Sequence, residues 1–343
     1  MKNSFIIFLI LAFLIVSCTS QSTSKQKEVN IFVGTDGLTE EFSKTAPPPR
    51  VFEDSSFPIL LTIRNSGAYS IKDKSGILSI GREKDYITSV SVEENGRVSK
   101  GVQDQAKFDV EGKTQINLKG DNIVVTSNAK TGKLDPQSEY RESTITSTLC
   151  YPYKTVLSTT VCIDPDISGI RPTKPEGKVC KVQEMVFNAG QGSPIAVTKI
   201  EPNMIPEEGD IIKPQFLIFI ENKGRGNPVD IDNYQNVCGK SDFSDGTKLT
   251  GSNNIWNVAK LKAFSSGKEG ENQLECTPNI ENSNDKTTGF IRFRDKKDFV
   301  RCTFKKSIKR TDDAFTSPLR IEIDYGYVQT ISTKVTIQKP LKY

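Results

Sequence analysis

The cysteines are the residues of this chain whose type and spacing could carry chemistry. There are seven, and Cys18 stands apart from the others, directly after an apolar run. The remaining six are Cys150, Cys162, Cys180, Cys238, Cys276 and Cys302. No two of them have CxxC spacing, which disfavours a zinc or redox site. An even set outside the cytosol most simply forms three disulfides.

The sequence alone leaves the pairing open, because six cysteines can be joined in many ways. We expect Cys162–Cys180 to close a proline-rich loop and Cys276–Cys302 to join two strand-like runs. By elimination, Cys150 would pair with Cys238. Such bonds would compensate for a modest hydrophobic fraction of 35%, since each typically stabilises a fold by roughly 2–4 kcal/mol.

Composition excludes several kinds of active site. The chain has no histidine, which removes Ser-His-Asp and Cys-His catalysis and histidine-ligated zinc. Its formal net charge of +4 over 343 residues is too small to indicate a nucleic-acid footprint. We therefore predict no catalytic residue and no nucleic-acid partner.

One acidic pair could bind a metal ion. Asp230 and Asp232 lie in the segment after the second of two similar apolar strands. Calcium prefers carboxylate oxygens of the kind that such loops supply. Solvated turn acids are the alternative, and calcium is the one cofactor that the sequence suggests.

The N-terminus indicates export and attachment to a membrane. Lys2 precedes an apolar run at 5–16 that ends in Ser17 and Cys18, the pattern of a secretory signal with a lipoprotein-like cleavage site. We expect a signal peptide at 1–17, a lipid on Cys18 and a flexible tether over 18–27. Plain secretion and a short membrane anchor are the alternatives. The predicted location is the extracytoplasmic face of the cell membrane.

From residue 28 onward, apolar residues alternate as they do in strands. Short runs rich in Val, Ile, Thr, Phe and Tyr are separated by Gly, Asn, Asp and Pro clusters, which is typical of an all-β sandwich. The runs lie at 29–33, 61–63, 77–80, 116–118, 123–125, 216–220, 255–261, 290–293 and 335–337. The segment 38–42 could form a single helical turn, and no longer helical stripe is present.

The chain also repeats itself. Residues 151–163 match residues 325–337 under a shift of 174, which aligns Tyr151 with Tyr325 and Tyr153 with Tyr327. Residues 60–67 likewise parallel residues 217–224. Two blocks in the same order favour a duplicated unit over chance matching. We expect two β-sandwich domains, at 28–163 and 182–343, joined by a proline-rich linker at 164–181.

The upstream block ends in an Asn-x-Gly motif that carries a family resemblance. The Asn side chain can bond nearby backbone, and we expect Gly67 and Gly224 to turn the chain by adopting a positive φ. Together with the Tyr-x-Tyr block, the motif resembles CARDB-like and related immunoglobulin-like domains of prokaryotic surface proteins. The chain is also similar to uncharacterised lipoproteins predicted in small-genome archaea. This resemblance implies two tandem immunoglobulin-like sandwiches and brings no active-site residue.

Together these features favour a non-enzymatic, lipid-anchored surface protein. Its two domains would serve adhesion or assembly with other envelope proteins. A subunit that binds a ligand or Ca²⁺ and a carboxylate-dependent hydrolase are the alternatives. Contiguous exposed aromatic residues or a free sheet edge would favour protein contacts, whereas a concave pocket with converging acids would favour a ligand.

Overall fold

Nearly all regular secondary structure in the described part of the chain is β-strand, mostly paired antiparallel, which confirms the all-β prediction. The computed structural model describes residues 30–101, 104–169, 177–238, 255–265, 273–279 and 285–340. The predicted signal peptide, Cys18 and the tether lie outside these ranges. Within them, no helix is long and apolar enough to cross a membrane.

Eighteen strands and one short helix are described. The first half of the chain contributes β1 (Leu38–Phe42), β2 (Arg50–Phe52), β3 (Ser56–Asn65), β4 (Ile71–Arg82), β5 (Ile87–Val92), β6 (Gln105–Val110), β7 (Asn122–Thr131) and β8 (Tyr140–Ile163). The second half contributes β9 (Met185–Val186), β10 (Ile195–Glu207), β11 (Ile211–Asn222), β12 (Asn227–Val229), α1 (Tyr234–Val237), β13 (Val258–Phe264), β14 (Glu275–Thr277), β15 (Thr288–Arg292), β16 (Lys297–Thr303), β17 (Ile308–Lys309) and β18 (Phe315–Gln338).

These strands form three sheets. The central sheet has eight strands in the order β15-β13-β18-β8-β4-β6, with β2 and β12 also paired to β18. The first outer sheet has four strands in the order β1-β3-β7-β5. The second outer sheet has six, in the order β14-β16-β11-β10-β9, with β17 paired to β11. Each half therefore supplies one outer sheet and part of the central sheet.

The two longest strands hold the halves together. Strands β8 and β18 each have 24 residues and pair antiparallel along their whole length, from Tyr140↔Gln338 to Ile163↔Phe315. Pro152 pairs with Gly326, the residue to which the repeat shift of 174 brings it. A pseudo-two-fold axis through this pair therefore relates the two halves. Residues Ile31–Tyr343 form one compact unit.

Both outer sheets cover the same face of the central sheet. The odd-numbered residues of β8 are buried from Ser143 to Val161, apart from the half-buried Thr159. Because alternate residues of a strand share a face, this pattern places both outer sheets on one side. Apolar residues of β3 and β11 belong to one continuous core, among them Ile59, Leu61, Ile63, Phe216, Ile218 and Ile220. Burying each such side chain contributes about 1.5–3 kcal/mol.

Helix α1 lies against the other face of the central sheet. A second, smaller apolar cluster there contains Ile77, Cys150, Val229, Tyr234, Cys238 and Val328. A Cβ on Gly326 would overlap Tyr234, so glycine is required where the helix meets β18. Helix α1 therefore covers the middle of the outward face of the β8–β18 strand pair.

All three predicted cysteine pairs are bonded in the structure. Cys162–Cys180 and Cys150–Cys238 have Cα–Cα distances of 5.7 Å, and Cys276–Cys302 joins β14 to β16 with a distance of 4.1 Å. Cys150–Cys238 links the two halves of the chain. Two aspartates at the start of the predicted linker pair with a lysine near its end. Lys178 donates to Asp164 at 2.7 Å and to Asp166 at 3.3 Å, so the three charged side chains form an ion-pair cluster.

Three predicted elements were wrong. The segment 38–42 forms strand β1 rather than a helical turn, because it pairs with β3 from Leu38↔Asn65 to Phe42↔Leu61. Residues 116–118 form a turn: the Asn117 side chain donates to the Gly120 carbonyl at 2.9 Å, and Ile116 is 99% exposed. Of the predicted strand 29–33, the described residues 30–33 belong to no strand.

Candidate contact surfaces

A buried cluster of four tyrosines surrounds the pseudo-two-fold axis. Tyr151, Tyr153, Tyr325 and Tyr327 are each at most 1% exposed, and neighbouring rings lie 5.7–6.2 Å apart. Burial raises the pKa of the Tyr151 and Tyr325 hydroxyls well above the ordinary value, so both stay protonated. The cluster is suited to holding strands in place and not to proton transfer at neutral pH.

Each Asn-x-Gly motif is fastened to this cluster by the same hydrogen bonds. The Tyr153 hydroxyl donates to Asn65 Oδ1 at 3.0 Å, and the Tyr327 hydroxyl donates to Asn222 Oδ1 at 3.0 Å. The same Oδ1 atoms accept the backbone N–H of Gly67 at 3.2 Å and of Gly224 at 3.1 Å. The duplication found in the sequence is therefore reproduced bond for bond.

The reason predicted for the two glycines was wrong. Neither Gly67 nor Gly224 has a positive φ. A Cβ on Gly67 would overlap the Tyr153 hydroxyl, and one on Gly224 would overlap the Tyr327 hydroxyl. Glycine is needed because several groups approach its α-carbon closely, and not because the chain turns through a left-handed conformation. Besides the tyrosine, these are the Gly192 and Asp36 carbonyls at Gly67 and the Pro194 ring at Gly224.

Glu40 breaks the symmetry of the halves. It lies on β1 opposite Ile63, where the second half has the fully buried Val197 opposite Ile220. Ser147 donates to Glu40 Oε2 at 2.7 Å, whereas Oε1 is buried without a hydrogen bond. Burial raises the pKa of this carboxyl to about 8.

The predicted calcium ligands lie around a lysine. Lys260 Nζ lies 3.2 Å from Asp230 Oδ1 and also pairs with Asp232 Oδ2. An ammonium group is thus paired with both aspartates and offsets one of their two negative charges. Among the described residues, no group of three or more Cys, Asp or Glu side chains could hold a metal ion. Calcium binding at Asp230 and Asp232 stays a prediction.

The outward side of the second outer sheet carries a row of four residues, of which three are apolar and one is a lysine. Val186, Lys199, Phe219 and Phe299 are successive cross-strand neighbours on β9, β10, β11 and β16. The Phe219 and Phe299 ring centroids lie 5.8 Å apart, and Lys199 Nζ lies 4.3 Å from the Phe219 centroid. Val186 is 58% exposed and Phe299 47%. We call these four residues the aromatic row.

The first half shows what this position looks like without the aromatic rings. In register, Glu41, Thr62 and Val124 of the first outer sheet correspond to Lys199, Phe219 and Phe299. The two sheets thus share their backbone pairing and differ in the side chains they present to solvent. Since the fold accepts Thr62 and Val124, packing does not require phenylalanine at this row.

Sequence reasoning missed the aromatic row, although one signal was present. The repeat aligns the segment 60–67 with 217–224 and so sets Thr62 against Phe219. When every second residue of a strand is apolar and faces the core, the residues between them face outward. A phenylalanine where the duplicate has threonine is therefore a sign of an exposed aromatic residue.

Comparisons with protein-family models and with curated proteins give no match. Among solved structures, the chain is similar to a DUF4466 family protein from Parabacteroides merdae, with 9% identity over 84% of this chain and 99% of that one and a TM-score of 0.20. It is also similar to the MSCRAMM ACE of Enterococcus faecalis, with 9% identity, 90% and 95% coverage and a TM-score of 0.16. The N-terminal region of an enterococcal surface protein gives 8%, 84% and 87%, and 0.19. Such low TM-scores carry no argument about function.

Proposed function

We propose that this protein is a non-enzymatic, lipid-anchored surface protein that binds another envelope protein through the aromatic row. The anchor is the lipid predicted on Cys18. The two halves act as a rigid support that holds the second outer sheet away from the membrane.

The observation that carries the proposal is a pair of neighbouring, outward-facing aromatic rings on a sheet that does not need them for packing: Phe299 is 47% exposed and Phe219 is half-buried beneath Lys199. Contiguous exposed apolar residues commonly mark protein contacts, and aromatic residues are enriched at the centres of interfaces. Lys199 and its partners Glu184 and Glu201 border the rings with charge, which resembles the polar rim of such an interface.

The experiment is proximity labelling on intact cells with three versions of the protein. The variant F219T/F299V gives the second outer sheet the residues of the first, so it should fold normally. We expect it to label its main neighbour at least about tenfold less than the wild type does, since interface aromatics often contribute more than about 1.4 kcal/mol. V124T, which changes an exposed apolar residue at the equivalent position of the first half, is the control. Unchanged labelling by F219T/F299V would refute the contact site.

The anchor is tested separately by Cys18→Ser. The substitution removes the thiol that would carry the lipid, and we expect the protein to move from the membrane fraction to the soluble extracytoplasmic fraction. If the Cys18→Ser protein still sediments with membranes, the lipid anchor is wrong, whereas the contact site stays testable in the released protein.

A further inference from the structure

The outer edge of β1 differs from its counterpart in the second half. Leu38 pairs with Asn65 and donates its N–H to the Tyr151 hydroxyl at 3.3 Å, as Ile195 pairs with Asn222 and donates to the Tyr325 hydroxyl at 3.5 Å. Strands β1 and β10 are therefore equivalent. Strand β10 has β9 on its outer side, whereas no described strand pairs with the outer side of β1.

The register shows which backbone groups this edge offers. The Ser66 N–H donates to the Gly37 carbonyl, and the Ser43 N–H donates to the Leu60 carbonyl. In an antiparallel pair these bonds alternate along the strand, so Glu40 and Phe42 direct their N–H and C=O groups away from β3. In the second half, Ile200 corresponds to Phe42, and it pairs with Met185 of β9.

The side chains beneath the edge are also less covered. In the second half, Met185 packs on the core with its sulfur 4.0 Å from the Thr159 hydroxyl, and Leu157 is 9% exposed. In the first half, the repeat places Ile331 at the position of Leu157, and Ile331 is only partly buried. No described residue of the first half places a side chain where Met185 lies in the second half.

We propose that the outer edge of β1 binds an extended segment of a partner protein as an added antiparallel strand. Its inward side chains would be an apolar residue opposite Phe42 and, two residues later, a lysine or arginine opposite Glu40. The apolar side chain would cover Ile331, as Met185 covers the equivalent site. The basic side chain would donate a hydrogen bond to Glu40 Oε1, which has none, and its positive charge would favour the ionised form of this carboxyl.

This site is independent of the aromatic row. It lies on the first outer sheet and uses backbone hydrogen bonds, in the manner of peptides that extend a sheet. The positive charge of the side chain opposite Glu40 distinguishes the partner from the segment around β9. There, Phe187 follows β9 directly, donates its N–H to the Thr198 carbonyl and packs against the core.

The probe is a synthetic peptide of residues 181–189 carrying the substitution F187K. We expect saturating peptide to slow amide hydrogen exchange at Glu40 and Phe42 by at least about tenfold. Methylation of the Met185 nitrogen should abolish binding, because that N–H faces the edge. Methylation of the Val186 nitrogen, which faces away, is the matched control and should leave binding intact.

The charge requirement is tested by Glu40→Gln. The wild-type protein should bind the F187K peptide at least about tenfold more tightly than the unsubstituted peptide at pH 9, and this preference should be lost in E40Q. Equal binding of the two N-methylated peptides, a lysine preference that survives in E40Q, or protection at Lys199 and Ile200 instead would overturn the proposal. Protection of Glu40 that grows with protein concentration without peptide would assign the edge to a second copy and also overturn it.

Discussion

At the scale of single residues, the duplicated chain provides its own comparison. Glu40 and Val197 occupy equivalent inward positions, and only Glu40 introduces a group that can ionise. Ser147 of β8 and Gln329 of β18 are polar side chains next to its carboxyl, and burial raises its pKa to about 8. The unfolded chain would have a value near 4.5.

This difference makes stability depend on pH. Because the folded state holds the proton between about pH 4.5 and 8 and the unfolded state does not, the free energy of unfolding should fall as pH rises through that range. E40Q removes the titration. We expect E40Q and wild type to unfold alike at pH 4, and E40Q to be more stable at pH 9 by on the order of 3 kcal/mol. Urea unfolding at both pH values measures this, and a constant difference would contradict it.

At the scale of elements, sequence predicted the strands whose apolar residues alternate strongly and missed those decided by a neighbour. Strand β3 shows the alternation clearly, with Ile59, Leu61 and Ile63 inward. Strand β1 has only five residues, two of them glutamates, and its conformation depends on pairing with β3. Spacing within the chain likewise could not show that Lys260 would lie between Asp230 and Asp232, or that no described strand would pair with the outer edge of β1.

The end of β3 offers a test of why its glycine is required. G67A places a methyl group against the Tyr153 hydroxyl, and we expect it to destabilise the fold by roughly 2 kcal/mol or more. Y153F alone loses the bond to Asn65 and should cost about 1–2 kcal/mol. Y153F removes the hydroxyl, whereas the Gly192 and Asp36 carbonyls stay close to the added methyl group. G67A/Y153F should therefore recover part of the cost and be more stable than the sum of the two costs predicts. Thermal unfolding of the four proteins checks this, and simple additivity would show that the hydroxyl is not the obstacle.

At the scale of the whole molecule, the β8–β18 ladder makes the halves interdependent. Either half alone would leave one edge of a 24-residue strand without its partner, and such edges favour aggregation. Cys150–Cys238 and Cys162–Cys180 cross the same boundary.

We therefore expect fragments 28–172 and 173–343 to aggregate when each is produced alone. Produced together in an oxidising compartment, they should copurify as one disulfide-linked species with cooperative unfolding. Size-exclusion chromatography and non-reducing gels distinguish the outcomes. A soluble, cooperatively folded monomer from either fragment would show that each half is self-sufficient.

The pseudo-two-fold axis at Pro152 and Gly326 has an evolutionary consequence. In a homodimer every mutation appears twice, so a helpful change on one subunit is tied to its copy on the other. Fusing two such subunits into one polypeptide removes that constraint while keeping the ancestral seam of tyrosines. One copy can then carry a carboxylate at Glu40 and the other paired rings at Phe219 and Phe299, which gives the molecule two different sides.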